Sequence, residues 1–249
     1  MTAPKHGAIL GLLVALAVAP SARGADPDVA APPPPATGAR GPLFHPDGPG
    51  PLKVRFGLGA LVDVLPTRVV QSEQRQVPQV TAEVRFGLPY GFSLDARLSA
   101  IVISNELAVG AAWSHRVGPF SFAVQDRQAV WYGYLGTSGF DATGWGYSNR
   151  PGLSIGVSWG SERISLTGEL IFTFAQYAKL GDSQIVSRVQ TKLAGTALTL
   201  VLESMLDAGG ILYVGAGVLR TTVDYQAWIA FSDERAMLPY PRFLAGYVF

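Results

Sequence analysis

Apolar and polar residues alternate through a long series of short segments, and this pattern constrains the fold more than any other feature of the chain. The stretches KVRFGLGALVDVL, QVTAEVRFGL and FSLDARLSAIVIS begin at Lys53, Gln79 and Phe92. Each places apolar side chains on one face and polar side chains on the other, because side chains along a strand alternate with period two. Segments at 106–115, 152–160 and 163–174 repeat the alternation.

The composition indicates where such strands fold. The chain is 48% hydrophobic and only 15% charged, whereas soluble domains are about 25% charged. No apolar run beyond the N-terminus reaches the roughly 20 residues that a membrane-spanning helix needs. Abundant apolar residues that are interleaved with polar ones are typical of strands that alternate between lipid and lumen. The sequence therefore predicts an all-β fold, an antiparallel transmembrane β-barrel over residues 53–249.

Turn signals divide this region into about ten strands, with eight or twelve as alternatives. Short connections are expected at 88–91, 117–119, 160–163 and 205–210, and a tight turn at 104–106. Longer loops are expected at 66–78, 136–149, 176–185 and 221–239. Short turns at one end and long loops at the other are usual in membrane barrels of even strand number. The segment 224–231 is a further candidate strand, but adding it alone would make the number odd.

The N-terminal region contains two segments that lie outside the barrel. Residues 1–24 carry Lys5, an apolar stretch and the small-residue pattern Ala22-Arg23-Gly24, which together indicate a cleaved secretory signal peptide. Residues 25–52 are rich in proline and glycine, with four consecutive prolines at 32–35. Such a composition favours an extended or disordered linker, and we interpret it as a plain spacer.

The chain ends on RFLAGYVF, which places alternate apolar residues up to a terminal phenylalanine. This ending resembles the C-terminal signal of bacterial outer-membrane β-barrel proteins, with Phe249 last and Tyr247 two residues before it. The resemblance implies a location in the outer membrane of a Gram-negative bacterium, contact with its lipid, and recognition of the last strand by the assembly machinery. It also implies that the linker is periplasmic. It identifies no subfamily.

Aromatic residues cluster near the predicted strand ends, as expected for girdles at the two membrane interfaces. The predicted girdle residues are Trp113, Phe120, Phe122 and Trp159 at the periplasmic end, and Phe172 and Phe174 at the outer end. Asp126 breaks the pattern, because it shares the apolar face of Phe120, Phe122 and Val124. Either a β-bulge turns it away from lipid, or its strand projects above the membrane.

Charged residues of both signs fall on the predicted lumen face. They are Arg55, Glu83, Arg85, Asp95, Arg97, Arg116 and Glu169, with Asp63, Glu106, Glu203 and Arg242. Glu83 and Arg85 are expected on a strand next to the strand of Asp95 and Arg97, which favours ion pairs across the strands. Two interpretations stay open: paired charges that fill the lumen, or a narrow water path lined by them.

The sequence favours no catalytic or metal-binding role. His6 leaves with the signal peptide and His45 falls in the linker, so His115 is the remaining base, and it shares the face of Trp113. Ser114 points to the opposite face, which excludes a serine–histidine pair on that strand. The chain has no cysteine and a net charge of +1, which gives no indication of nucleic-acid binding. We predict no enzyme activity, no cofactor and no metal.

Two functions fit this sequence. The first is a narrow porin-like barrel that transports small solutes. The alternative is a closed structural or surface-interaction barrel that meets partners through the outer loops 136–149 and 221–239. Within the first of these loops, Phe140, Trp145 and Tyr147 are candidate contact residues, although a loop that packs on itself would also explain them. The solute or surface partner is left unspecified by the sequence.

Overall fold

A computed structural model describes residues 41–67, 76–137, 140–206, 209–222 and 237–249. Residues 40–249 form one compact unit. The predicted signal peptide, the first part of the predicted linker and the candidate strand 224–231 lie outside the described residues. Within the described ranges, no helix is long and apolar enough to cross a membrane.

Ten antiparallel strands account for nearly all of the described chain. They are β1 (Val54–Val64), β2 (Gln76–Gly87), β3 (Phe92–Ile101), β4 (Ser104–Val117), β5 (Phe120–Thr137), β6 (Phe140–Trp159), β7 (Glu162–Leu180), β8 (Ser183–Met205), β9 (Ile211–Thr221) and β10 (Leu238–Val248). A single-turn 3-10 helix, Pro89–Gly91, joins β2 to β3.

The strands close into a barrel in which each pairs with its neighbours in sequence. Closure is made by β1 and β10, which pair from Gly57 opposite Val248 to Asp63 opposite Arg242. The predicted all-β antiparallel barrel of ten strands is thus confirmed. Both β1 and β10 have their chain-terminal ends at one rim, which we call the terminal end, and the opposite rim is the loop end.

The two faces of the wall differ as the alternation predicts. Exposed apolar side chains such as Phe56, Leu98, Trp113 and Leu153 cover the outside. Buried polar side chains such as Thr81, Ser99 and Ser154 line the inside. An apolar exterior around a polar interior suits a wall that has hydrocarbon outside and polar groups within.

The connections at the loop end differ from the predicted loops. Residues 136–149 belong mostly to β5 and β6, which pair continuously up to Thr137 opposite Phe140. Residues 176–185 likewise belong mostly to β7 and β8, with a turn at 181–182. The tight turn predicted at 104–106 lies at 102–103, and Ser104 already begins β4. Trp145 and Tyr147 are therefore exposed strand residues rather than loop residues.

Apolar side chains fill the barrel interior near both rims. Toward the loop end, Leu65, Ile171, Leu219 and Tyr240 form a buried cluster with Ala197 and Leu238. Toward the terminal end, Leu43, Val201, Ile211, Tyr213 and Val248 form a second. Both clusters include inward residues of β9, which explains why the sequence of that strand shows no polar face.

Asp126 stays on the outward face of β5, and the predicted β-bulge that would turn it away does not form. β5 pairs with β4 and with β6 without a register shift along its whole length. The nearest irregularity is in the pairing of β6 with β7, between Tyr147 and Ser148. The carboxylate is therefore exposed on a regular stretch of the outer wall.

Candidate functional site

The segment before the first strand occupies the terminal mouth of the barrel. Pro42, Leu43, His45 and Pro46 are buried, and His45 is fully so. We call residues 41–50 the mouth segment. The sequence predicts that these residues are the end of a spacer. In the structure they pack instead against inward side chains of the wall. The mouth is therefore the leading candidate for a functional site.

Glu203 on β8 holds the backbone of the mouth segment. Its Oε1 atom accepts hydrogen bonds from the amides of Leu43 (2.8 Å) and Phe44 (3.1 Å). Its Oε2 atom accepts one from the amide of His45 at 2.7 Å. Three successive amides thus surround one carboxylate, and hydrogen bonds to a charged acceptor are among the stronger ones in proteins. Glu203 is only 1% exposed, so this contact replaces its lost hydration.

Arginines bind the carbonyl groups of the same segment. Arg85 Nη1 donates to the carbonyls of Leu43 (3.2 Å) and His45 (3.0 Å), and its Nε donates to Ser93 Oγ. Arg55 Nε donates to the carbonyl of Gly41 at 3.0 Å. The wall therefore supplies charged partners to both the donors and the acceptors of a backbone that has no sheet partner there.

Asp47 and His45 anchor the other side of the mouth segment. Ser121 Oγ donates to Asp47, and Arg116 Nη1 lies 3.4 Å from the same carboxylate. Ser158 Oγ and His45 Nε2 are 3.4 Å apart. The pKa of His45 falls from 6.5 to about 4, mainly because the imidazole is buried; Asp47 raises the pKa, and the nearby cations Arg163, Arg116 and Arg85 lower it. The imidazole is therefore neutral at pH 7.

Two inward glycines of the wall make room for the mouth segment. A Cβ atom at Gly57 would lie 2.6 Å from Leu43 Cδ2, and one at Gly156 would overlap the imidazole of His45. Phe44 contacts the ring of Tyr213 in a tilted arrangement, with 4.7 Å between the ring centroids. The wall is thus shaped to the segment as well as charged to bind it.

Above the mouth, ion pairs join strands across the polar interior. Arg127 on β5 contacts Asp95 on β3 at 2.7 Å and Glu169 on β7 at 2.9 Å. Arg242 on β10 contacts Asp63 on β1 at 3.1 Å. Arg150 forms a bidentate pair with Glu106. Between these groups lies a cavity of about 120 Å³, lined also by Arg97 and Glu83.

The predicted cross-strand ion pairs do not form, although the register places the residues as expected. Glu83 lies opposite Arg97, and Arg85 lies opposite Asp95. Among the described salt bridges, however, Asp95 pairs with Arg127, and Arg85 turns to the mouth segment. Asp95 and Arg85 thus bind partners on other elements, which the register of two neighbouring strands cannot indicate.

The remaining predicted residues lie as follows. Arg116 is exposed at the terminal rim, where its Nε donates to the carbonyl of Gly118. His115 is exposed beside Trp113, with 6.0 Å between the ring centroids. The aromatic side chains exposed at the terminal end include Trp113, Phe120, Phe122, Trp159 and Phe249. At the other end of the wall, Phe172 is half-buried and Phe174 contacts Tyr147.

Three lumen arginines are absent from the predicted set: Arg127, Arg150 and Arg163. Arg127 directly follows Asp126, which lies on the outward face of β5. Because neighbouring residues of a strand point to opposite faces, Arg127 is expected to point into the lumen. Arg150 adjoins a predicted loop, and Arg163 lies at the boundary between a predicted turn and a predicted strand, so the pattern assigns neither residue to a face of the wall. The strands that contain these arginines are longer than the sequence predicts, and their alternation continues beyond the predicted ends.

The sequence matches no family model and no curated protein. Among solved structures, the translocator domain of the autotransporter NalP from Neisseria meningitidis is 13% identical, with 83% of this chain and 90% of that one covered and a TM-score of 0.45. Neisserial surface protein A is 12% identical, with 78% and 94% covered and a TM-score of 0.35. CdiB from Acinetobacter baumannii is 15% identical, with 68% and 32% covered and a TM-score of 0.32. At these values the likeness carries no argument about function.

Proposed function

We propose that this chain is an outer-membrane β-barrel that passes small solutes through a narrow polar lumen, and that the mouth segment closes the periplasmic end at rest. The observation that carries the proposal is the set of three backbone amides bound to Glu203. The hydrogen bonds that hold the segment can be exchanged for water at modest cost, and the apolar contacts that are lost on release are those of a short segment that includes Leu43 and Phe44. An apolar plug could not be exchanged in this way.

The proposed location in the outer membrane is inferred from the properties of the barrel wall. Its exterior is apolar, aromatic side chains are exposed near the terminal end, and the strand number is even, all of which are properties of barrels in bacterial outer membranes. In such barrels the chain termini lie on the periplasmic side. The terminal end, and with it the mouth segment, is then periplasmic.

A closed structural barrel is the second candidate, and Arg127 favours it. This one guanidinium joins β3, β5 and β7 through Asp95 and Glu169, which narrows the lumen independently of the mouth segment. A barrel of about eight strands has room only for side chains or one small ligand. In this alternative the protein acts through its outer surface.

We also infer that the protein is not an enzyme. His115 is exposed beside Trp113 on the outer wall, and His45 is buried among backbone contacts. Ser158 Oγ lies 3.4 Å from His45 Nε2, but the imidazole is fully buried and so is closed to a substrate while the mouth segment is in place. Hydrolysis of lipid or peptide substrates that disappears in His115→Ala would overturn this inference.

The test is single-channel conductance of the mature chain, from about Ala25 onward, in planar bilayers. Glu203→Gln removes the charge that binds the three amides, so we expect its open fraction to rise at least about tenfold, the factor that 1.4 kcal/mol gives. The matched control is Glu162→Gln at the same rim, because Glu162 accepts hydrogen bonds from Ser161 and Ser204. We expect the control to behave as the wild type.

A locked variant separates opening of the mouth from other changes. The chain has no cysteine, so Asp47→Cys with Ser121→Cys introduces a unique pair at two contacting positions. A short cleavable thiol crosslinker between them should abolish the openings, and cleavage should restore them. If wild type, Glu203→Gln and the uncrosslinked pair are all folded and silent, the transport proposal fails and the closed barrel stands.

A further inference from the structure

A group of polar side chains, two of them exposed and two half-buried, lies on the outer wall among apolar neighbours. We call Asp126, Gln128, Tyr147 and Asn149 the outer polar patch. Asn149 Nδ2 donates to Asp126 Oδ1 at 2.5 Å, and Tyr147 Oη donates to Gln128 Oε1 at 2.6 Å. Asp126 remains exposed in spite of these contacts, and among the described residues it forms no salt bridge.

Asp126, the charged residue of the patch, lies near the middle of the apolar belt. Along β5 the outward residues run from Phe120 and Phe122 to Tyr132 and Tyr134, all exposed. Asp126 is six residues from Phe120 and six from Tyr132. A strand residue spans about 3.3 Å, and barrel strands tilt by about 35–45°, so each residue adds roughly 2.5 Å of depth. Asp126 is then about 15 Å from either ring, within an apolar band about 25 Å tall.

Ionisable groups at this depth are costly in lipid and mark functional positions. Since the strand is regular and the carboxylate faces outward, the fold itself does not remove Asp126 from hydrocarbon. We propose that this face is the contact surface for a second copy of the same chain, with the outer polar patches of the two copies facing each other across a two-fold axis.

The choice of a second copy follows from depth and shape. Copies inserted in the same orientation are related by an axis along the membrane normal, so equal depths face each other. The amides of Gln128 and Asn149 both donate and accept hydrogen bonds, which makes the patch complementary to itself. A partner copy therefore presents polar groups where lipid presents none.

The surface on either side of the patch is also self-complementary. Next to β5, a concavity of about 570 Å³ is lined by Asp126 and Gln128 of the patch and by residues of β2–β4 that include the small Ala96, Gly110 and Ala111. On the β6 side, Leu153 protrudes and is 65% exposed. A two-fold axis through the patch brings the concavity of one copy opposite Leu153 of the other, and small residues at such contacts allow close approach.

The test uses crosslinking of the full mature chain in lipid vesicles. One preparation carries Ala111→Cys and another Leu153→Cys, in a chain that has no other cysteine. When the two are reconstituted together, we expect a crosslinked heterodimer at least about fivefold more abundant than in a mixture of Ala245→Cys and Leu153→Cys, where Ala245 faces outward on the opposite strand β10.

Mass measurement in nanodiscs then tests the surface directly. Ala111→Trp fills the concavity and should convert a wild-type dimer to a monomer, whereas Ala245→Trp should leave the dimer intact. Both substituted positions face outward, and a heat-shifted gel band checks that each barrel has folded. The double substitution Asp126→Leu with Asn149→Leu disrupts the patch in a second way. A monomeric wild type, or a dimer that survives both disruptions, would overturn the proposal.

Discussion

His45 is a buried base whose neutrality depends on the mouth segment staying in place. Its pKa is about 4 in the barrel and near 6.5 in a released chain. At a pH between these two pKa values, the imidazole of His45 is protonated when the mouth segment is released and neutral when the segment is docked. Docking is therefore most stable above pH 6.5, weakens as the pH falls toward 4, and loses on the order of 3 kcal/mol in total.

We predict that the mouth opens on mild acidification, and that His45→Gln removes most of this dependence between pH 6.5 and 4. The measurement is the rate at which Leu43→Cys reacts with a water-soluble thiol reagent of pH-independent reactivity. Asp47, Arg85, Arg116, Arg163 and Glu203 also face this site. His115→Gln, at an exposed histidine of the same rim, serves as the control. Equal pH dependence in both variants would assign the effect to those other groups.

Individual contacts of the lumen could be predicted only in part. Strand phase placed Glu83, Arg85, Asp95 and Arg97 inside the barrel, because the alternation of side chains is a local property. Their partners depend on the three-dimensional arrangement, and Arg127 reaches Asp95 from a strand two positions away. Glu203 was placed in the lumen, but its partners are backbone amides, which leave no trace in a side-chain pattern.

At the scale of elements, the last strand shows what the C-terminal sequence does in the fold. The amide of Phe249 donates to the carbonyl of Phe56 at 2.9 Å, and the two rings stack at 5.9 Å. Tyr247 contacts Phe249 edge to face at 5.0 Å. The end of β10 therefore contacts β1 at the closing seam, in addition to carrying the sequence that resembles an assembly signal.

We predict that Phe249→Ala lowers the amount of folded barrel in cells several-fold, because both the assembly signal and the ring contact with Phe56 are lost. The matched control is Phe243→Ala, which removes an outward phenylalanine from the same strand. The measurement is the heat-shifted fraction on gels, in cells and after refolding in vitro. A defect confined to cells indicates recognition by the assembly machinery, whereas equal yields of the two variants would contradict the prediction.

Strands could be predicted from the sequence where they depend only on the alternation of neighbouring residues. Alternation and turn signals predict about ten strands, and parity requires only that the number be even. The sequence predicts a loop at 136–149, which is rich in glycine and aromatic residues, yet aromatic residues also favour strands, and pairing between β5 and β6 extends through it. The sequence predicts a spacer at the mouth segment because proline and glycine form no core alone. Here the wall of the barrel supplies the partners.

At the scale of the whole molecule, ion pairs in the polar interior help to hold the strands of the wall together. Ion pairs link β3 to β5, β5 to β7, and β1 to β10. Arg127 takes part in two of these links, and its side chain is 20% exposed. Stability of the closed wall should therefore depend strongly on this residue.

We predict that Arg127→Gln lowers the free energy of unfolding by about 3–5 kcal/mol, because Asp95 and Glu169 would be left as buried carboxylates without their cation. Adding Asp95→Asn and Glu169→Gln removes those charges and should restore most of the loss. Lys179→Gln breaks the exposed pair with Asp182 and should cost less than about 1 kcal/mol. Urea unfolding in lipid vesicles measures all four proteins. If Arg127→Gln costs no more than Lys179→Gln, the lumen ion pairs do not hold the barrel together, and the interior is then free to serve as a water path.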